Sequence, residues 1–105
     1  MIVKRIKWLD MEGLEAAVTI EGDIEEITAF CHPCFYKEGD QVKSPLLANF
    51  TPSIYISFNK EYLINKHDSD EFGYDFCGKL YDKEQQVIKV NGIDIKIEDV
   101  SIPKL

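Results

Sequence analysis

Arginine is almost missing from this chain: Arg5 stands alone among 105 residues, against eleven lysines. Histidine is nearly as scarce, with only His32 and His67, and Trp8 is the one tryptophan. Basic side chains number 12 against 19 acids, for a formal net charge of -7. A nucleic-acid binder neutralises phosphates with clustered lysine and arginine, and bidentate contacts to phosphate or guanine need arginine. Here the summed field repels polyanions. Uncharged apolar runs are only a few residues long, so no helix would span a bilayer. Met1-Ile2-Val3-Lys4-Arg5 lacks the apolar stretch of a signal peptide, which makes the cytoplasm the expected compartment. Cys31, Cys34 and Cys77 are an odd number, expected there as reduced thiols. There is no P-loop, no Gly-x-Ser-x-Gly and no dinucleotide fingerprint. The chain reads as a binding protein without enzymatic activity.

What is present describes a small globular protein. At 45% hydrophobic and 30% charged, the composition supports a packed core, and the length suits one domain covering residues 1–105. Eleven lysines to one arginine, with thirteen isoleucines, fit an AT-rich bacterial genome. The charge is local. Residues 10–40 hold nine acids against Lys37 alone, residues 1–9 are basic, and the stretch from Lys79 onward is balanced.

Strand signals dominate. In the opening stretch Ile2, Ile6 and Trp8 fall on one face, interrupted by Lys4. Leu14, Ala16, Val18 and Ile20 alternate with Glu15, Ala17, Thr19 and Glu21, the pattern of a half-buried strand. Glu21-Gly22-Asp23 then turns the chain into Ile27–Cys31, so residues 10–31 are expected as an antiparallel hairpin. Pro45 confines Leu46–Phe50 to an edge strand, or to one beginning after it. Ile54, Ile56 and Phe58 predict another strand, residues 59–66 read equally as helix or strand, and Phe76–Tyr81 reads as one strand. The clearest signal is Val87–Val90, Asn91-Gly92, Ile93–Ile97, because Asn-Gly supplies the two positive φ angles of a type I′ turn. In that register Val90 faces Ile93 and Ile88 faces Ile95, while Lys89 sits opposite Asp94.

These short strands predict an all-β fold, a small antiparallel barrel of five to seven strands with at most one short helix. Leu14–Val42 holds a hairpin followed by Tyr36-Lys37-Glu38-Gly39-Asp40-Gln41-Val42 opening a third strand, and it resembles the OB-fold family of small barrels. That resemblance implies a ligand that is an oligonucleotide, an oligosaccharide or a protein, without choosing among them.

Three sets of residues are candidate sites. Glu12, Glu15, Glu25 and Glu26 lie on the acidic hairpin and predict a contact surface for a protein, best a basic one found by electrostatic steering. Trp8, Tyr36 and Tyr55 are candidate stacking residues for bases or sugars, against the need of a small barrel for aromatic core. Cys31-His32-Pro33-Cys34 has the spacing with which two thiolates grip zinc; Cys77 would be a third ligand and His67 or His32 a fourth. A lone Cys-x-x-Cys reads better as Cys31 ending a strand toward the core, with His32-Pro33 shaping the loop after it. The balance of these readings is a protein-binding module without cofactor.

Overall fold

In the computed structural model, residues 1–48, 61–99 and 101–102 are described, and every regular element among them is a strand. There are nine: β1 (Ile2–Asp10), β2 (Glu15–Glu21), β3 (Glu26–Cys31), β4 (Leu46–Ala48), β5 (Leu63–Lys66), β6 (Tyr74–Cys77), β7 (Lys79–Asp82), β8 (Val87–Val90) and β9 (Ile93–Ile97). No helix among them is long and apolar enough to cross a membrane.

The strands form three sheets, ordered β1-β2-β3, β4-β9-β8-β7 and β5-β6. Among the described residues none closes into a barrel, so the all-β expectation holds while the barrel finds no support there. Two local features work against closure. The Gly-Asp segment expected to open a third strand makes only an isolated bridge, Gln41 to Ile2, because its bonds go to the start of β1 instead. Gly78 divides the strand expected over residues 76–81 into β6 and β7, which enter different sheets. A Cβ there would stand 2.5 Å from the Lys89 carbonyl oxygen.

In the first sheet β2 is central, and Ala16 to Ile20 are all buried, on both faces. Ala16, Val18 and Ile20 pack with Val3, Cys34 and Val42. Ala17 and Thr19 are small, and the longer cross-strand neighbours Lys7 and Phe30 on one pair, Arg5 and Thr28 on the other, flank them. The strand expected to be half-buried is therefore buried on both faces from Ala16 to Ile20. The Thr19 and Thr28 hydroxyls share a hydrogen bond at 3.0 Å. In β1 a register shift between Val3 and Arg5 changes which residues face inward. An extra residue in one strand moves the following side chains to the other face, so Val3 rather than Ile2 enters the core.

The terminal hairpin follows its sequence. Val90 pairs with Ile93, Lys89 with Asp94 and Ile88 with Ile95, and Asn91 and Gly92 take φ of 48° and 84°. Ile93, Ile95 and Ile97 join Ile27 and Val90 in a second core, and Met1 and Leu46 pack against both cores. Gly22 lets the first sheet close on this hairpin: Asp23 N–H donates to the Asn91 carbonyl at 2.8 Å, and a Cβ on Gly22 would fall 2.6 Å from that oxygen. β4 begins after Pro45 and runs parallel to β9 at the sheet edge. Residues 63–66, open between helix and strand in the sequence, are strand β5. The strand expected around Ile54 to Phe58 lies outside the described residues.

Candidate functional site

The turn from β1 to β2 sets up one end of the first sheet. Asp10 accepts a hydrogen bond from Gly13 N–H at 3.2 Å, and Leu14 closes the turn on the Met11 carbonyl with a φ of 57°. A second register shift, between Trp8 and Asp10, interrupts the pairing at Leu9. Such bulges re-aim side chains at strand ends. Here the result is a tip that exposes large apolar groups: Leu9 is 45% and Met11 65% exposed, with Trp8 beside them at 37%.

The loop after β3 adds to the same end. Cys34 N–H donates to the Leu14 carbonyl at 2.8 Å and its side chain is buried. With Cys34 anchored, Phe35 is held outward at 75% exposure. Asp10, Glu12 and Glu15 belong to the same end of the sheet, with Asp10 and Glu15 paired across the strands. Aromatic residues and Met with charge confined to a rim are the composition of protein interfaces. Scattered apolar exposure is ordinary, but several large side chains at one sheet end are not.

The four acids expected to share one surface are divided. Glu12 and Glu15 belong to the tip. Glu25 and Glu26 lie at the opposite end of β2, which at about 3.3 Å per residue is roughly 20 Å away. Glu26 is also engaged, by Lys4 Nζ at 2.6 Å and Arg5 Nη2 at 3.5 Å. The Lys4 hydrogen bond, more than the charges of Lys4 and Arg5, holds its carboxyl below the usual range. Both partners of the Lys4 pair are 43% exposed, so it contributes little to stability.

The stacking set is not assembled as a platform. Trp8 is at the tip, Tyr36 is half-buried against the first core, and Tyr55 lies outside the described residues. Tyr81, on β7, is exposed and carries Lys89 Nζ 4.1 Å from its ring centre.

The zinc set is not brought together either. Cys31 and Cys34 lie side by side, whereas Cys77 pairs with Leu63 in the third sheet. His67 is hydrogen-bonded to Asp75 at 2.9 Å in the β5–β6 hairpin, and His32 stacks on Phe30. Among the described residues no three His, Cys, Asp or Glu side chains are grouped to hold a metal ion. Burial first, and then the Cys34 thiol, push Cys31 up to about 11. At neutral pH the Cys31 thiol is therefore held in its protonated form.

The sequence reading missed Leu9, Met11 and Phe35. The signal was there in Leu9 and Met11, apolar residues flanking an acid in a turn, where solvated groups are the rule. No protein-family model, curated protein or solved structure matches this chain.

Proposed function

We propose that the chain is a non-catalytic, cytoplasmic binding module that docks a protein through the tip of its first sheet. The observation that carries this reading is the exposure of Trp8, Leu9, Met11 and Phe35 at one end of the first sheet, the end that also holds Asp10, Glu12 and Glu15. In such a surface the buried aromatic anchors supply the binding energy. Asp10, Glu12 and Glu15 then choose the partner by charge, which favours a basic face and speeds its encounter. Relative to the sequence reading, the contact surface keeps Glu12 and Glu15, releases Glu25 and Glu26, and gains an apolar centre. An OB-type site for single-stranded nucleic acid or oligosaccharide draws no support from sheets that stay open among the described residues, nor from a Tyr36 half-buried against the first core.

The test is capture from the host lysate with identified partners, comparing three double variants. Trp8→Ala with Phe35→Ala is expected to abolish retention of the partner. Glu12→Gln with Glu15→Gln is expected to slow association and flatten its salt dependence, while Glu25→Gln with Glu26→Gln leaves both unchanged. A partner retained equally by all three variants, or no partner at all, overturns the reading.

A further inference from the structure

The other end of the first sheet carries a second feature, separate from the tip. A groove of about 460 Å³ opens between that sheet and the β5–β6 hairpin, within the size range of small-ligand sites. Arg5, Glu25, Glu26 and Lys66 are its charged lining, and Ile64 and Tyr74 are its apolar part. The tyrosine is fixed in place: its hydroxyl accepts from Thr28 N–H, on the outer edge of β3, at 2.9 Å.

The ionic groups of this groove are unevenly matched. Glu26 is answered twice, by Lys4 and by Arg5. Glu25 is not answered: its Oε2 is closed off from solvent and has no hydrogen-bond partner. Buried polar atoms in folded proteins are paired with few exceptions, and an exception calls for an explanation. On the hairpin side, Lys66 Nζ donates to the main-chain carbonyl of Asp70 at 3.3 Å. It makes no ion pair among the described residues. One anion, in the β2–β3 turn, and one solvent-exposed cation, on β5, thus line the same groove without an ion-pair partner among the described residues.

Each simpler ligand class fails on one of these groups. A purely cationic ligand would satisfy Glu25 but meet Lys66 and Arg5. A purely anionic one would satisfy Lys66 but meet Glu25 and Glu26. An apolar one would cover Glu25 and Lys66 and pair neither, which is costly. A ligand with both charges answers both.

We propose that this groove binds a small zwitterion of the amino-acid class, with its ammonium group on Glu25, its carboxylate on Lys66, and its apolar part on Ile64 and Tyr74. Rotation about the terminal torsion of Glu25, which is broad and roughly two-fold for a carboxylate, presents either oxygen to the ligand. A free amino acid and a dipeptide carry the same pair of charges at different separations, so both are sources of this chemistry.

Titration of isotopically labelled protein, followed by NMR, tests the proposal with defined probes: leucine, leucyl-leucine, leucinamide and N-acetyl-leucine. Leucine or leucyl-leucine is expected to give saturable shifts at Glu25, Lys66 and Tyr74, and whichever binds more tightly identifies the source. Leucinamide, lacking the carboxylate, and N-acetyl-leucine, lacking the ammonium, are expected to bind about tenfold or more weakly, the factor set by one lost charged hydrogen bond. Glu25→Gln is expected to remove the discrimination against N-acetyl-leucine, and Lys66→Met that against leucinamide. The ligand series on the unaltered protein decides the matter if either variant fails to fold. No saturable shift from either zwitterion, or equal binding of all four probes, overturns the proposal, whatever the outcome at the tip.

Discussion

The thiol of Cys31 is pushed up to about 11, first by burial and then by its neighbour Cys34, and its Sγ also lies 3.9 Å from the Pro33 carbonyl. An ordinary cysteine titrates near 8.5. At pH 8 Cys31 therefore holds on the order of a hundredfold less thiolate than an ordinary exposed cysteine, and thiolate is the reactive form. Alkylation by iodoacetamide, mapped by mass spectrometry, is expected to be slow at Cys31 at pH 8 and to accelerate steeply toward pH 11. The same shift bears on stability. The folded pKa lies above the unfolded one, so the contribution is complete below about pH 8.5 and is lost as pH rises through 11. Equal labelling of Cys31 and a small-molecule thiol at pH 8 would contradict this burial. A second single-residue outcome concerns the core. Ile93 has no exposed surface, and Ile93→Ala is expected to cost about 2–5 kcal/mol in urea unfolding, the range for a large-to-small core change. The sequence made Ile93 legible as core because its neighbours alternate with period two. It did not make Glu25 legible as an unpaired group, since that depends on where Lys4, Arg5 and Lys66 come to lie.

Elements were legible where the signal is local. The β8–β9 hairpin carries its own turn, pairing and charge complement within eleven residues, and all three appear in the fold. Gly92 is the demanding position, with φ of 84° and the Asp23 carboxylate close to where a Cβ would stand. Gly92→Ala is expected to destabilise by about 1–2 kcal/mol from the left-handed conformation alone, read as a lower urea midpoint with unchanged slope. An unchanged midpoint would show that the turn relaxes to another type. The β1–β2 pair was less legible. Both of its register shifts arise from how two strands meet, so the placement of Val3 inside and of Leu9 at the tip could not be read from alternation along β1. The split at Gly78 is of the same kind, because it takes the carbonyl of Lys89 on β8 to forbid a side chain there.

At the scale of the whole molecule, the acids of residues 10–31 prove to sit at two ends of the first sheet rather than on one face. The hairpin that carries the acids is antiparallel, so its two turns point in opposite directions, and each end acquires its own chemistry. Metal dependence is also decided at this scale, since a four-ligand site needs residues from separate sheets. With only Cys31 and Cys34 adjacent, purified protein is expected to carry less than stoichiometric zinc by elemental analysis, and its unfolding midpoint to be unmoved by a chelator. One zinc per chain with a chelator-sensitive midpoint would require Cys77 or a histidine to reach the pair. The parallel contact of β4 with β9 has a consequence in time. Leu46 meets Ile95 across nearly half the chain, while β8 and β9 meet across two residues. Closing a long loop costs chain entropy before any contact rewards it, and β4 has nothing to join until the β8–β9 ribbon exists. The hairpins are therefore expected to form first and Leu46, which touches both cores, to act as the latch that shuts last. Truncating it is expected to let the folded chain spring open faster in stopped-flow unfolding while its refolding rate stays put.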